Sequence, residues 1–180
     1  MTLEFSLSED DYLEHLLFTA SKSPRIRKQL RKSVLTVSIL FLVIAFLNYY
    51  SGGIIGMYIF ICLSGLSIYF YPFYIKAVQK RAYKKYLKEN LSTRFDQHIK
   101  LIFQENMIET FDITGESKLN FSEIMDIYET GRFYYIRLNY GANLIIPKEK
   151  LKDPENLRRE LQRISDKLNV DFITELNWKW

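Results

Sequence analysis

The side chains that could carry chemistry are few. Two histidines, His15 and His98, and one cysteine, Cys62, are the whole supply of imidazole and thiol in 180 residues. A structural zinc site needs four such ligands at compatible spacing, and a disulfide needs a second thiol. Both histidines therefore read as ordinary polar residues, and neither a metal nor a cofactor is expected. Glu109, Asp112, Asp126 and Glu129 are carboxylates on stretches of strand character. Paired carboxylates can divide acid and base work, but alternation along a strand places such residues on its solvent face. No nucleophile elbow, P-loop or glycine-rich dinucleotide turn occurs. The chain therefore reads as a non-enzyme, with no catalytic residue to assign.

One cluster has spacing that implies binding. Lys76, Lys80, Lys84 and Lys88 recur every four residues, with Arg81 and Lys85 beside them. On a helix, residues four apart are neighbours, so these six form a basic stripe. Near an anionic membrane surface each basic residue contributes about 1 kcal/mol of attraction. These six are the candidate lipid-contact residues. A stripe that only solvates a stalk and enforces topology has the same sequence.

The element that must position this stripe precedes it. Residues 33–75 hold 43 residues without one charged side chain. Ser51-Gly52-Gly53 divides them into two apolar runs. Residues 54–75 span about 33 Å as a helix, enough for a hydrocarbon core of about 30 Å. Residues 34–50 span only about 25 Å, so that helix is expected to begin near residue 31, with Arg31 and Lys32 snorkelling to the headgroups. Tyr49, Tyr50 and Tyr58 gather at the turn, and Tyr69, Tyr71 and Tyr74 at the other end, as interfacial belts do. The expectation is a transmembrane helical hairpin over 33–75 (about 31–50 and 54–75). Ser64, Gly65 and Ser67 form a small-residue patch for the first helix or a second copy of the chain. Asn48 lies near the outer end, where water would solvate it. No Asp, Glu, Lys, Arg or His occurs inside the spans, which argues against an ion or proton path.

Charge orients the hairpin. Its two flanks carry 12 basic residues, from Lys22 to Lys88, and no acid lies between Glu14 and Glu89. The turn carries no charge. The positive-inside rule then places both termini in the cytoplasm, with the hairpin in the cytoplasmic (inner) membrane. The net charge of +4 is misleading about partners. Outside the flanks the chain has 13 basic and 21 acidic residues, a net of −8. Nucleic acid is therefore not an expected partner.

Flanking elements complete the plan. Leu3, Phe5 and Leu7 alternate as in a half-buried strand, and Ser8 with Asp11 forms a capping pair for a helix. Residues 1–23 are expected to pack on the C-terminal module, because a lone strand cannot satisfy its backbone. Residues 76–91 read as a basic helical stalk. From His98 to Pro147 short alternating runs are parted by turn residues, which predicts an antiparallel meander forming a small sheet or partly open barrel. Asp153-Pro154-Glu155 opens a final helix whose Leu157, Leu161, Ile164 and Leu168 make one apolar stripe, with Asn169 as its stop. The module thus covers 92–169. The apolar tail 170–180 reads either as an extra strand or as an interfacial anchor.

Several short runs resemble the YcxB-like family of bacterial membrane proteins. They are Phe5-Ser6-Leu7-Ser8-Glu9-Asp10-Asp11-Tyr12, the hairpin with its basic flanks, Gly115-Glu116-Ser117-Lys118 leading into Phe121-Ser122-Glu123-Ile124, and Ile145-Ile146-Pro147-Lys148. Phe121 stands where the family pattern suggests tryptophan, and the tail after Asn169 has no counterpart. The resemblance implies a membrane α+β protein with a pleckstrin-homology-like (PH-like) cytoplasmic domain and a C-terminal amphipathic helix. It brings no catalytic residues with it. The expected function is a membrane-held module that binds a protein, unidentified or a second copy, or regulates a membrane partner. The competing expectation is an envelope structural protein that contacts anionic lipid through its basic stripe.

Overall fold

The ends of the helices follow from local capping chemistry. In the computed structural model, which describes Met1–Trp180, the first helix α1 (Glu9–Lys22) is opened by a reciprocal cap. The Ser8 amide donates to Asp11 Oδ2 at 2.9 Å, and the Asp11 amide donates to Ser8 Oγ at 3.3 Å. The next helix, α2 (Pro24–Tyr50), is opened by Ser23, whose hydroxyl accepts from the Ile26 amide at 3.4 Å. Pro24 sits in the first turn, where a missing amide hydrogen costs nothing. The helix thus begins before the expected span of 31–50, and the basic segment from Arg25 is itself helix.

A Schellman turn ends α2. Gly53 N donates to Asn48 O at 2.8 Å and Gly52 N to Tyr49 O at 3.1 Å, with Gly52 at φ +81. The third helix, α3, runs unbroken from Ile54 to Asn90, 37 residues. The expected boundary at residue 75 between span and stalk is therefore not a break in the backbone. Pro72 lies inside this helix and deprives Ile68 O of its amide donor.

The strands form two open four-stranded sheets, not one meander or barrel. They are β1 (Thr2–Ser6), β2 (His98–Phe103), β3 (Met107–Asp112), β4 (Gly115–Asn120), β5 (Ile124–Thr130), β6 (Phe133–Leu138), β7 (Asn143–Pro147) and β8 (Asp171–Glu175). One sheet has the order β1-β2-β3-β4, the other β7-β6-β5-β8. The chain changes sheets at a 3-10 turn, Phe121–Glu123, where the Phe121 amide donates to Asn106 O and its ring is buried. That turn removes the pairing of β4 with β5 that a meander requires. β1 pairs antiparallel with β2, Phe5 opposite Ile99. The tail supplies β8, parallel to β5 with Ile127 opposite Phe172.

The chain divides into two compact units, Met1–His15 with Leu87–Lys179, and Leu16–Tyr86 with Trp180. In the first, α4 (Pro154–Leu168) packs on β5, β8 and the 3-10 turn. Its Leu157, Leu161 and Ile164 are buried, as are Leu101 and Ile108 of one sheet and Ile127, Ile136 and Ile146 of the other. Asp153 caps α4 through the Asn156 amide at 3.0 Å, and Asn169 ends it in the left-handed conformation at φ 55. In the second unit a serine cluster joins α2 to α3. Ser64 Oγ donates to Ser38 O at 3.1 Å, and the Ser38 and Ser67 hydroxyls are 2.8 Å apart.

Candidate functional site

The basic stripe lies on the latter part of α3. Lys76, Lys80, Arg81, Lys84, Lys85 and Lys88 are all exposed. At about 100° of rotation per residue, Lys76, Lys80, Lys84 and Lys88 drift through about 120°, and Arg81 and Lys85 extend the arc to about 180°. The charge thus covers about half the helix circumference instead of one line. That form suits a surface met from the side, not a groove.

The four strand carboxylates behave differently from a solvent face. Glu129 is only 4% exposed and Asp126 7%, because β5 is covered on both sides. Glu129 accepts from Lys148 Nζ at 2.8 Å, Arg158 Nε at 3.0 Å and Thr174 Oγ1 at 3.4 Å. Burial pushes its pKa up, but the two cations outweigh this and hold it below the usual carboxylate range. Asp126 takes two hydrogen bonds from the Arg137 guanidinium on the neighbouring strand. The expectation that alternation exposes these two residues fails because Asp126 and Glu129, three apart, point to opposite faces of β5, and six of its seven residues are buried. Glu109 pairs with Lys118 across β3 and β4 at 3.2 Å. Asp112 accepts from the Thr114 amide at 2.7 Å and closes the turn into β4. Each of the four carboxylates thus has its own partner, and Glu129 and Asp126 brace β5 to its neighbours and to α4.

A second charge network escaped sequence reasoning. Lys150 Nζ contacts Asp11 Oδ2 at 2.9 Å and donates to Ser6 O at 2.8 Å. Arg132 reaches Asp11 at 3.5 Å, Glu14 at 2.6 Å and Glu149 at 3.3 Å. Burial pushes the pKa of Asp11 up, yet the Ser8 amide and Lys150 bring it below the ordinary value. For Glu14 burial wins over Arg132 and the pKa is raised. This network ties the start of α1 to the β6 and β7 ends of the second sheet. Only the Ser8–Asp11 cap was visible locally; Lys150 lies 139 residues from Asp11.

The histidines part company. His98 is exposed on β2, with Nε2 4.0 Å from Glu4. His15 is half-buried: its Nε2 is 2.9 Å from Asn143 Nδ2, and its ring lies 5.7 Å from that of Tyr135. Burial lowers its pKa to about 4, so it is neutral near pH 7 and is no ordinary surface residue. No group of three or more His, Cys, Asp or Glu side chains converges as a metal site would require. Asn48 also departs from expectation. Its Nδ2 donates to Ile44 O at 2.9 Å, and its carboxamide fills the space where a Cβ on Gly56 would stand. Helix packing against Gly56 and the bond to Ile44 O thus hold its carboxamide.

An open hollow of about 350 Å³ lies on the outer face of the first sheet, lined by His98, Lys100, Ile102, Phe111 and Asp112. It joins two half-buried apolar side chains to charges of both signs.

The family model described as YcxB-like protein matches residues 103–160. That segment runs from the end of β2 into α4 and contains Asp126, Glu129, Arg132, Arg137, Lys148 and Arg158. No curated protein and no solved structure matches the chain.

Proposed function

We propose that this chain is a two-pass protein of the cytoplasmic membrane. Its α2–α3 hairpin holds a PH-like module at the cytoplasmic face, both termini are inside, and the module binds a protein or regulates a membrane partner without catalytic activity of its own. The observation that carries the reading is the exposure of the apolar helices. In the most apolar window of each, only 11% of α2 and 6% of α3 is buried. The core helix of a soluble protein covers most of its apolar surface, so these two call for an apolar solvent. Two open sheets followed by α4 support the PH-like assignment, and the hollow beside Phe111 is where a protein partner would be received. The net charge of −8 outside the flanks speaks against nucleic acid.

Topology reporters fused at residues 1 and 180 test the membrane reading. Both should report the cytoplasm, and an external signal from either overturns it. The exposed cations of α3 favour a second reading, an envelope structural protein held against anionic lipid. The two separate on mutation. A partner captured stoichiometrically from detergent extract should be lost with Ile102→Gln and kept when Lys80, Lys84 and Lys88 become glutamine. The lipid reading requires the opposite sensitivity, with membrane association lost in the lysine variant.

A further inference from the structure

The outer strands of the two sheets differ in what they offer to another strand. On β1 the Ser6 carbonyl is taken by Lys150 Nζ at 2.8 Å. Pro147 ends β7 with no amide hydrogen to donate. Laid antiparallel along a copy of itself, β8 opposes Asp171 to Glu175, which repel. That leaves β4. It pairs on one side only, with β3, because the chain leaves the sheet at the 3-10 turn that follows. Gly115 to Lys118 are all exposed, and the strand contains no proline. An exposed edge of this kind is a template for a further strand.

The ladder with β3 fixes which backbone groups of β4 face outward. The Phe121 amide donates to Asn106 O at 3.0 Å, so those two residues form a hydrogen-bonded pair. Such pairs alternate in an antiparallel ladder, so Leu119 with Ile108 and Ser117 with Thr110 are hydrogen-bonded too. The N–H and C=O groups of Glu116 and Lys118 therefore point away from β3. Leu119 is buried against the core, which puts the Glu116 and Lys118 side chains on the outer face. Lys118 contacts Glu109 at 3.2 Å, whereas Glu116 has no ion pair within its own chain.

Charge then chooses among the registers in which a second β4 can lie antiparallel to the first. Centred on Glu116, the pairing opposes two glutamates; centred on Lys118, it opposes two lysines. Centred on Ser117, it sets each Glu116 opposite Lys118 of the second copy, and symmetry makes this happen twice. Glu116 and Lys118 are also the residues whose backbone groups face out, so charge and hydrogen bonding select the same register.

We propose that β4 pairs antiparallel with β4 of a second copy about a two-fold axis at Ser117, joining the two first sheets into one. Lys118 then lies between Glu109 of its own chain and Glu116 of the second copy. The proposal rests on reading the module as protein-binding and names a second copy as the protein bound. It uses the strand edge, not the hollow beside Phe111, and asks nothing of the hairpin.

The test uses the full chain purified in detergent, with Cys62→Ser so that only introduced thiols remain. Ser117→Cys places two thiols across a non-hydrogen-bonded pair, about 4.5 Å apart at Cα and within disulfide reach. Oxidation by copper–phenanthroline should give a disulfide-linked dimer. Glu116→Cys and Lys118→Cys, each offset from its own copy by about 7 Å along the strands, should give about fivefold less. On the Ser117→Cys chain, Glu116→Lys keeps the Glu109 pair and should lower cross-linking about fivefold, as should Lys118→Glu. An equal mixture of those two charge variants should recover it, since every opposed pair is again unlike in charge, and that recovery shows both variants folded. Cross-linking at residue 117 no greater than at 116 or 118 overturns the pairing. So does an undiminished yield with Glu116→Lys, or a mixture that stays as low as its components. The purified chain carries no other protein, so the result stands apart from whether the hollow receives one.

Discussion

At Glu129 a single carboxylate satisfies two cations, and Lys148 is the more deeply covered of them, its side chain 15% exposed against 38% for Arg158. Glu129→Gln keeps the shape and removes the charge. Lys148 is then left in a covered position without its counter-ion, and the loss should be about 2–3 kcal/mol, less than a fully buried pair because Arg158 reaches water. Unfolding of the detergent-solubilised protein followed by near-ultraviolet circular dichroism measures it; an unchanged midpoint refutes the brace. His15 sets a pH dependence. Its folded pKa of about 4 lies below the ordinary 6.5, so the unfolded chain takes up the proton first. Stability from this residue is complete above about pH 6.5, falls as the pH drops toward 4, and levels below that. The span is on the order of 2 kcal/mol after allowance for partial exposure. Glu14, raised by burial, works in the opposite sense and blunts the slope. His15→Gln should flatten the midpoint-against-pH curve between those limits. The depressed carboxylates of Asp11 and Glu129 then add a separate loss below the usual carboxylate range.

Among the elements, β1 offers the most direct experiment. Phe5 is 5% exposed and sits opposite Ile99, so Phe5→Asp places a charge in the shared core of the first sheet. The cost should be about 3–5 kcal/mol, read as lost protease resistance of the chain beyond residue 91. Undiminished resistance shows that β1 contributes nothing to that sheet. The elements also separate what local sequence encodes from what it does not. Ser8 with Asp11, Asp153 with Pro154, and Asn169 are start and stop signals whose partners lie within a few residues, and each is found acting as such. Ser23-Pro24 has the same chemistry and starts α2 ahead of the hydrophobic run. The division into two sheets was not legible. Alternation in 117–121 and 124–130 is the same whether those strands pair or part, and only the burial of Phe121 in the core of the module decides it. Nor could alternation foresee that both faces of β5 are covered, with α4 packed on it and Arg158 of that helix reaching Glu129. Asp126 and Glu129 were therefore misplaced, and Arg132 with Lys150 were missed.

For the molecule as a whole, charge should decide orientation. Changing Arg25, Arg27, Lys28, Arg31 and Lys32 to glutamine, with lysines placed at 51 and 52, should turn one orientation into a mixture, seen with the same terminal reporters. A single unchanged orientation would mean that something other than the flanks sets it. The pairing of β1 with β2 has a further consequence, in time. The partners face each other in the finished sheet, yet residues 7–97 lie between them. At about 5–20 residues per second of synthesis, β1 leaves the ribosome roughly 5–20 s before its partner does. Through that interval it is a strand with no sheet, and the apolar hairpin is made while it waits. A hairpin, unlike a single span, returns the chain to the side it left. Insertion of α2 and α3 would then confine both strands to one small volume at the membrane surface, and the slow step of closing a long loop becomes an encounter between tethered neighbours. Membrane insertion and folding of the first sheet would thus be consecutive stages of one assembly pathway, and a chain that failed the first would accumulate with β1 unpaired and open to aggregation.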